Sequence, residues 1–192
     1  RDADVSIQGC MQQIQAAGHG IDILIHSVAF SSEVQNPHLE VSRKAYLQAM
    51  SISSYSLVAL SRAALPLMKG KNASVIGLSY LAGQRAVPYY GGGMATAKAA
   101  LESDARNLSW FLGEEGHRVN IVSPGPFGSR AARSIGDIDA AVEHAAAHSP
   151  LRRAIDRDDV ANTVLFLASP LSSAITGSCI FVDAGYHIMA AG

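Results

Sequence analysis

The chain has 192 residues, 48% hydrophobic and 16% charged, which suits one globular domain with a substantial core and excludes a disordered chain. A formal net charge of −1, with the cations scattered, offers no basic face to nucleic acid or to an anionic membrane surface. Cys10 and Cys179 are the only cysteines. They are too few for a disulfide framework or a zinc site, so we expect no metal centre and a reducing, cytoplasmic setting.

The chain opens Arg1-Asp2-Ala3-Asp4, without an initiator Met or a signal-peptide core, and reads as a processed chain or a fragment. Residues 6–17 have the pattern of a helix that ends at Gly18 and Gly20. The nearly continuous apolar run 21–28 predicts a buried parallel strand. A long helix is expected over 43–68, with Tyr46, Ala49, Met50, Ser53, Leu57 and Leu60 mostly three or four apart and Pro66 disturbing its last turn.

Residues 73–80 form the next strand pattern, followed by a helix over about 92–112 and a strand over 118–123. Alanine-rich 129–148 is helical in propensity but weakly apolar, the pattern of a loosely held cover. Asp156 can cap a helix running to Ser169, with Asp159 reaching back to its start. The most apolar stretch, 163–182, is broken by Pro170 and five Ser or Thr residues, so no membrane span is expected. Residues 178–182 make the last strand.

Strands alternating with helices predict an α/β fold, a doubly wound parallel sheet of Rossmann-like type. Ligands bind such sheets at the carboxyl ends of the strands. Three of those ends carry unusual residues: HSVAF at 26–30, Ser79-Tyr80, and SPGP at 123–126. With SRKAYL at 42–47, SSYS at 53–56, SYLAGQRAVPYYGGGMATAKAALESD at 79–104, SPGPFGSRAARSIG at 123–136 and AITGSCIFVDAG at 174–185, the sequence resembles the enoyl-acyl-carrier-protein reductases. That family is a divergent branch of the short-chain dehydrogenase/reductases, and this chain is most like its plant, apicomplexan and chlamydial members.

Ordinary members of the superfamily place their Tyr and Lys four residues apart. Here the fourth residue after Tyr90 is Met94, and Lys98 is the eighth. On a helix four residues turn by about 40° and rise about 6 Å, whereas eight turn by about 80° and rise about 12 Å. For Tyr90 and Lys98 to share a site, the backbone between them cannot be plain helix. Gly91, Gly92 and Gly93 provide the freedom, which predicts a turn there and regular helix from near Met94.

The resemblance implies reduction of trans-2-enoyl-acyl-carrier-protein thioesters in fatty acid synthesis, with NADH as cofactor and NADPH not excluded. It implies Tyr90 as hydrogen-bond donor to the thioester oxygen, Lys98 on the nicotinamide ribose, and Tyr80 lining the acyl pocket. That Tyr90 serves, and not adjacent Tyr89, follows only from the family pattern. Ser27, Val28 and Ala29 match the segment that passes the nicotinamide ribose. Pro126, Phe127, Gly128, Ser129, Arg130 and Ala131 match the loop over nicotinamide and pyrophosphate, where Ser129 could meet phosphate or carboxamide. Phe30, Ser31 and Met94 are expected on the substrate side, and about 129–149 as the substrate lid. Relatives are usually homotetramers, so a homo-oligomer is expected.

Phe30, Tyr89 and Pro124 stand where relatives have Asn, Gly and Ala, which bears on pocket shape. His26, ending a buried strand, reads as a core histidine and not a base. The strand, Gly-rich turn and helix that open a dinucleotide fold do not precede Ile21, since Gly18-His19-Gly20 leads into a strand. On this reading the chain is the C-terminal portion of a reductase domain that binds NADH weakly alone. The competing readings are an ordinary ketoreductase or alcohol dehydrogenase, and a truncated, non-catalytic paralogue serving as an oligomer subunit.

Overall fold

The helix α1 (Asp2–Ala16) leads into the first of four short strands: β1 (Ile23–His26), β2 (Ser74–Leu78), β3 (Arg118–Pro124) and β4 (Cys179–Val182). In the computed structural model, which describes residues 2–129 and 132–190, these strands are all parallel and lie side by side in chain order. Parallel neighbours need crossovers, and helices provide them. The first holds α2 (Arg43–Met50) and α3 (Ser56–Met68), the second α4 (Met94–Gly113), and the third α5 (Ile138–His148) and α6 (Arg157–Ala168).

Successive side chains point to opposite faces of a strand. Val75, Val119 and Ile121 accordingly join one core with Met11, Leu57, Met68, Leu101 and Leu112 from α1, α3 and α4. Ile76 and Val122 join a second core with Ile155 and with Val160 and Leu167 of α6. Both sheet faces carry helices, as the doubly wound expectation requires.

The expected buried strand over 21–28 needs correction. The ladder holds only four residues there, and Ile23 and Ile25 are 47% and 51% exposed. They pair with Ser74 and Ile76 and so share the face that α6 covers. That helix packs over β2, β3 and β4, and among the described residues β1 is the edge strand and no helix covers this side of it.

The single helix expected over 43–68 is interrupted by a π-helical turn at Ser51–Tyr55. Ser56 Oγ donates to the Ile52 carbonyl at 2.6 Å, a side-chain competitor for the regular ladder. Pro66 sits in the last turn of α3 without ending it. The cap on α6 is as expected: Asp156 accepts from the backbone N–H groups of Asp158 and Asp159, and Asp159 accepts from the Asp156 N–H. At the other end of α6, buried Arg118 donates to the Leu167 and Ser169 carbonyls, placing a cation where the helix dipole favours one.

Candidate active site

The carboxyl ends of β1, β2 and β3 open onto one cavity of about 1390 Å³. Ser27, Val28 and Ala29 line it after β1, Ser79 and Tyr80 after β2, and Pro124, Pro126, Phe127 and Ser129 after β3. Tyr89, Tyr90 and Lys98 line it from the glycine turn and α4. A roof comes from the alanine-rich segment, through Ile135, Ile138, Ala141 and His144, and from Tyr186 and His187 near the chain end.

Gly91, Gly92 and Gly93 form the expected turn, and α4 begins at Met94. Gly92 and Gly93 have φ of +61° and +78°, a region L side chains rarely adopt. Space demands glycine as well. A Cβ on Gly92 would lie 2.3 Å from Ser31 Oγ, and one on Gly91 would lie 2.0 Å from the Asn36 carbonyl oxygen. The turn is pinned by Ser31 Oγ donating to the Gly92 carbonyl at 2.7 Å and by the Gly91 N–H donating to the Val34 carbonyl at 3.0 Å. The hinge thus brings the Tyr90 phenol and the Lys98 ammonium to one cavity despite their eight-residue spacing.

The structure separates the adjacent tyrosines. Tyr89 is 84% exposed, whereas Tyr90 packs against Met94, Ala97 and Ala49 and its ring meets that of Tyr80 at 4.8 Å. Burial pushes the Tyr90 phenol far above its ordinary range, with the neighbouring Tyr80 adding to the shift. Burial also raises Tyr80, with a contribution from Tyr186. Both therefore hold their protons at neutral pH and can donate.

Lys98 is 5% exposed and donates to the Leu78 carbonyl at 2.7 Å. Desolvation brings its ammonium down to about 8, opposed by the carboxylate of Glu102. His26 is fully buried. Ser56 Oγ gives its proton to the Ile52 carbonyl, so it accepts from His26 Nε2–H, fixing that tautomer. Burial, and then the nearby Lys98 charge, lower the imidazole to about 4 and keep it neutral, in agreement with a core histidine.

Three expected substrate-side residues lie off the cavity wall. Phe30 is half exposed, and its N–H donates to Ser53 Oγ in the π turn. Ser31 is buried beneath the glycine hinge. Met94 is buried behind Tyr90, beside Ser53 Oγ. Gly128 is exposed in the loop after β3, and Arg130 and Ala131 lie outside the described residues. Sequence reasoning missed Glu102, the π turn that holds Phe30, and the roof residues Tyr186 and His187. A run of five Ser and Tyr residues among 51–56 was the available signal for the π turn.

A parallel doubly wound sheet with a half-buried Tyr and a buried Lys at its carboxyl edge defines a Rossmann-like short-chain dehydrogenase/reductase. The chain belongs to the enoyl-(acyl carrier protein) reductase family, whose model matches residues 2–187. It is 52% identical over 170 residues to the chloroplastic enoyl-[acyl-carrier-protein] reductase [NADH] 2 of Oryza sativa subsp. japonica, covering 88% of this chain and 46% of that one. Against the chloroplastic enzyme of Arabidopsis thaliana the identity is 49%, covering 96% and 47%. The crystal structure of enoyl-[acyl-carrier-protein] reductase (NADH) from Aquifex aeolicus VF5 superposes with a TM-score of 0.93 at 38% identity, covering 98% and 74%. The chain spans about half the length of its plant relatives.

The residues present fit the nicotinamide-ribose end of a dinucleotide. Lys98 reaches the cavity and carries donors beyond the one given to Leu78, and the small Ser27 and Ala29 line the same cavity. Among the described residues no helix is long and apolar enough to cross a membrane, and no cluster of side chains could hold a metal ion.

Proposed function

We propose that this chain carries the catalytic half of an NADH-dependent reductase that saturates trans-2-enoyl thioesters on acyl carrier protein, in fatty acid synthesis. The observation that carries the reading is the Tyr90 phenol and the Lys98 ammonium lining one cavity across a glycine hinge. Relatives whose names specify NADH and enoyl-acyl-carrier-protein support the choice of cofactor and substrate. NADPH is the alternative cofactor.

When bound, the reduced nicotinamide supplies a hydride to the β-carbon of the enoyl group. Negative charge then grows on the thioester oxygen as an enolate forms. Tyr90, protonated and already placed by its ring contact with Tyr80 and the glycine turn, donates to that oxygen and needs no reorganisation as charge develops. Lys98 donates to the ribose hydroxyls, and its positive charge favours the developing anion. Tyr80 lines the acyl pocket. Ser27, Val28, Ala29, Pro126, Phe127, Gly128, Ser129, Arg130 and Ala131 hold the cofactor, and Phe30, Ser31 and Met94 shape the substrate side from behind. Residues of about 129–149 act as a lid that excludes water.

The test is loss of NADH absorbance with a crotonyl thioester, compared with an acetoacetyl thioester and with NADPH. Faster turnover of the acetoacetyl substrate would replace this reading with a ketoreductase. We further propose a homotetramer in the cytoplasm, assembled through the surfaces of residues 43–56 and α4, where Leu47, Tyr55, Trp110 and Phe111 are exposed. Sedimentation of a monomer at micromolar concentration would exclude that assembly.

A further inference from the structure

Helix α4 grips the end of β2 twice. Lys98 donates to the carbonyl of Leu78, and one turn further along, Glu102 accepts from the hydroxyl of the next residue, Ser79, at 2.6 Å. Residues four apart share a helix face, so the pair holds two consecutive residues of the strand end. The following residue is Tyr80, whose ring rests on Tyr90. The second oxygen of Glu102 accepts from Gln84 Nε2 at 2.7 Å. Between them Gly83 lets the turn Leu81–Gly83 lie against the helix, since a Cβ there would come within 2.9 Å of Glu102 Oε1 and 3.2 Å of the Lys98 backbone carbon.

Glu102 is 4% exposed, and nothing in the proposed chemistry uses it. Both of its oxygens accept from neutral donors, and its charge opposes the desolvation of Lys98. A purely structural link could be made by a neutral amide, without the cost of burying a charge. Among the described residues Lys98 has no ion-pair contact, so the carboxylate acts on it through the local field. The other titratable groups facing the pair are His26 on β1, Cys179 on β4, Arg106 on α4, and the phenols of Tyr80 and Tyr90. His26 is neutral above about 4 and the Cys179 thiol is pushed up to about 12, chiefly by burial. Glu102 is therefore the anion available to hold the lysine charged.

We propose that Glu102 is a positioning residue for the cofactor lysine: it ties the end of β2 to the helix turn bearing Lys98, and its charge keeps that ammonium protonated at working pH. The inference rests on the reductase reading, in which Lys98 meets the ribose. Its first consequence, however, can be measured with neither cofactor nor substrate.

The chain has four lysines, so selective ¹³C labelling at Lys Cε resolves Lys98 by NMR. Glu102→Gln should lower the Lys98 titration midpoint by about one pH unit, the size expected when a nearby opposite charge is removed. Glu102→Asp, which keeps the charge, should restore most of that shift, and a structural role alone would leave both midpoints unmoved. An unmoved midpoint in the folded Gln variant would overturn the proposal. The unmutated protein provides a measurement independent of how the variants fold. The Glu102 carboxyl ¹³C resonance should show an inflection at the pH where Lys98 loses its proton, and a flat trace there would also overturn it. Failure of the enoyl-thioester assay with both NMR results intact would count against the reductase reading and not against the Glu102–Lys98 coupling.

Discussion

The rings of Tyr80 and Tyr90 meet at a centroid distance of 4.8 Å and an interplanar angle of 48°, joining the end of β2 to the turn that precedes α4. One tyrosine is set by the sheet and the other by the glycine hinge. Each ring limits the rotamers of the other, so the Tyr90 phenol is held before any ligand arrives. Tyr90→Phe keeps the ring contact and removes only the donor. It should reduce kcat by about 10²-fold, the usual effect of losing one preorganised donor, with little change in NADH affinity. Tyr80→Phe should mainly raise KM for the acyl substrate. Steady-state kinetics and fluorescence titration of NADH check both, and an unchanged kcat for Tyr90→Phe would remove it from the chemistry.

Lys98 carries its charge below about 8 and loses it above. NADH affinity should therefore fall as pH rises through that value, and Lys98→Met should flatten the profile at the low level. Because folding depresses this lysine, the unfolded chain binds more protons between about 8 and the ordinary 10.5. Stability from this group should thus increase as pH climbs through that window. Urea midpoints measured at intervals across it check the sign.

His26 acts with the same sign in the acid range. Its folded value near 4 lies below the ordinary 6.5, so the unfolded state binds the extra proton between them. Stability is complete above about 6.5 and should fall by roughly 3 kcal/mol as pH drops to about 4, a size set by the two and a half units between those values. His26→Asn should lack this acid slope. Parallel urea curves for the two proteins at pH 7 and 5 are the measurement, and equal slopes would disprove the assignment.

Gly92→Ala should be among the most damaging small substitutions in the chain. The new methyl must accept a φ of +61° and also enter the space of Ser31 Oγ and the Glu33 carbonyl. Strain of this kind costs on the order of 1–3 kcal/mol. Displacement of Tyr90 should lower kcat beyond what the stability loss explains. Gly128→Ala, where a Cβ meets nothing within 4 Å, is the control and should leave the melting temperature nearly unchanged.

Much of the fold was legible because the signals are local. Apolar runs bounded by turns marked all four strands, Asp156 and Asp159 marked a capping box, and three glycines between a tyrosine and an alanine-rich helix marked the hinge. The π turn was not read, since Ser51–Tyr55 keeps helical periodicity on both sides and its only mark is the Ser and Tyr content of 51–56. Nor was the exposure of Ile23 and Ile25. An apolar strand has the same composition at the edge of a sheet as at its centre, and only the position of α6 distinguishes them.

The linear order of residues by itself determined the parallel α/β class, the break before Met94 and the family, because periodicity, glycine content and motif spacing are written along the chain. Tertiary structure alone decided that Tyr90 is half-buried against Tyr80 while Tyr89 is exposed, that Ser31 bonds the glycine hinge and Met94 packs against Tyr90, and that Glu102 shares a buried turn with Lys98. Those outcomes depend on which distant segments meet, and burial, field and hydrogen-bond partners come into being only when they do.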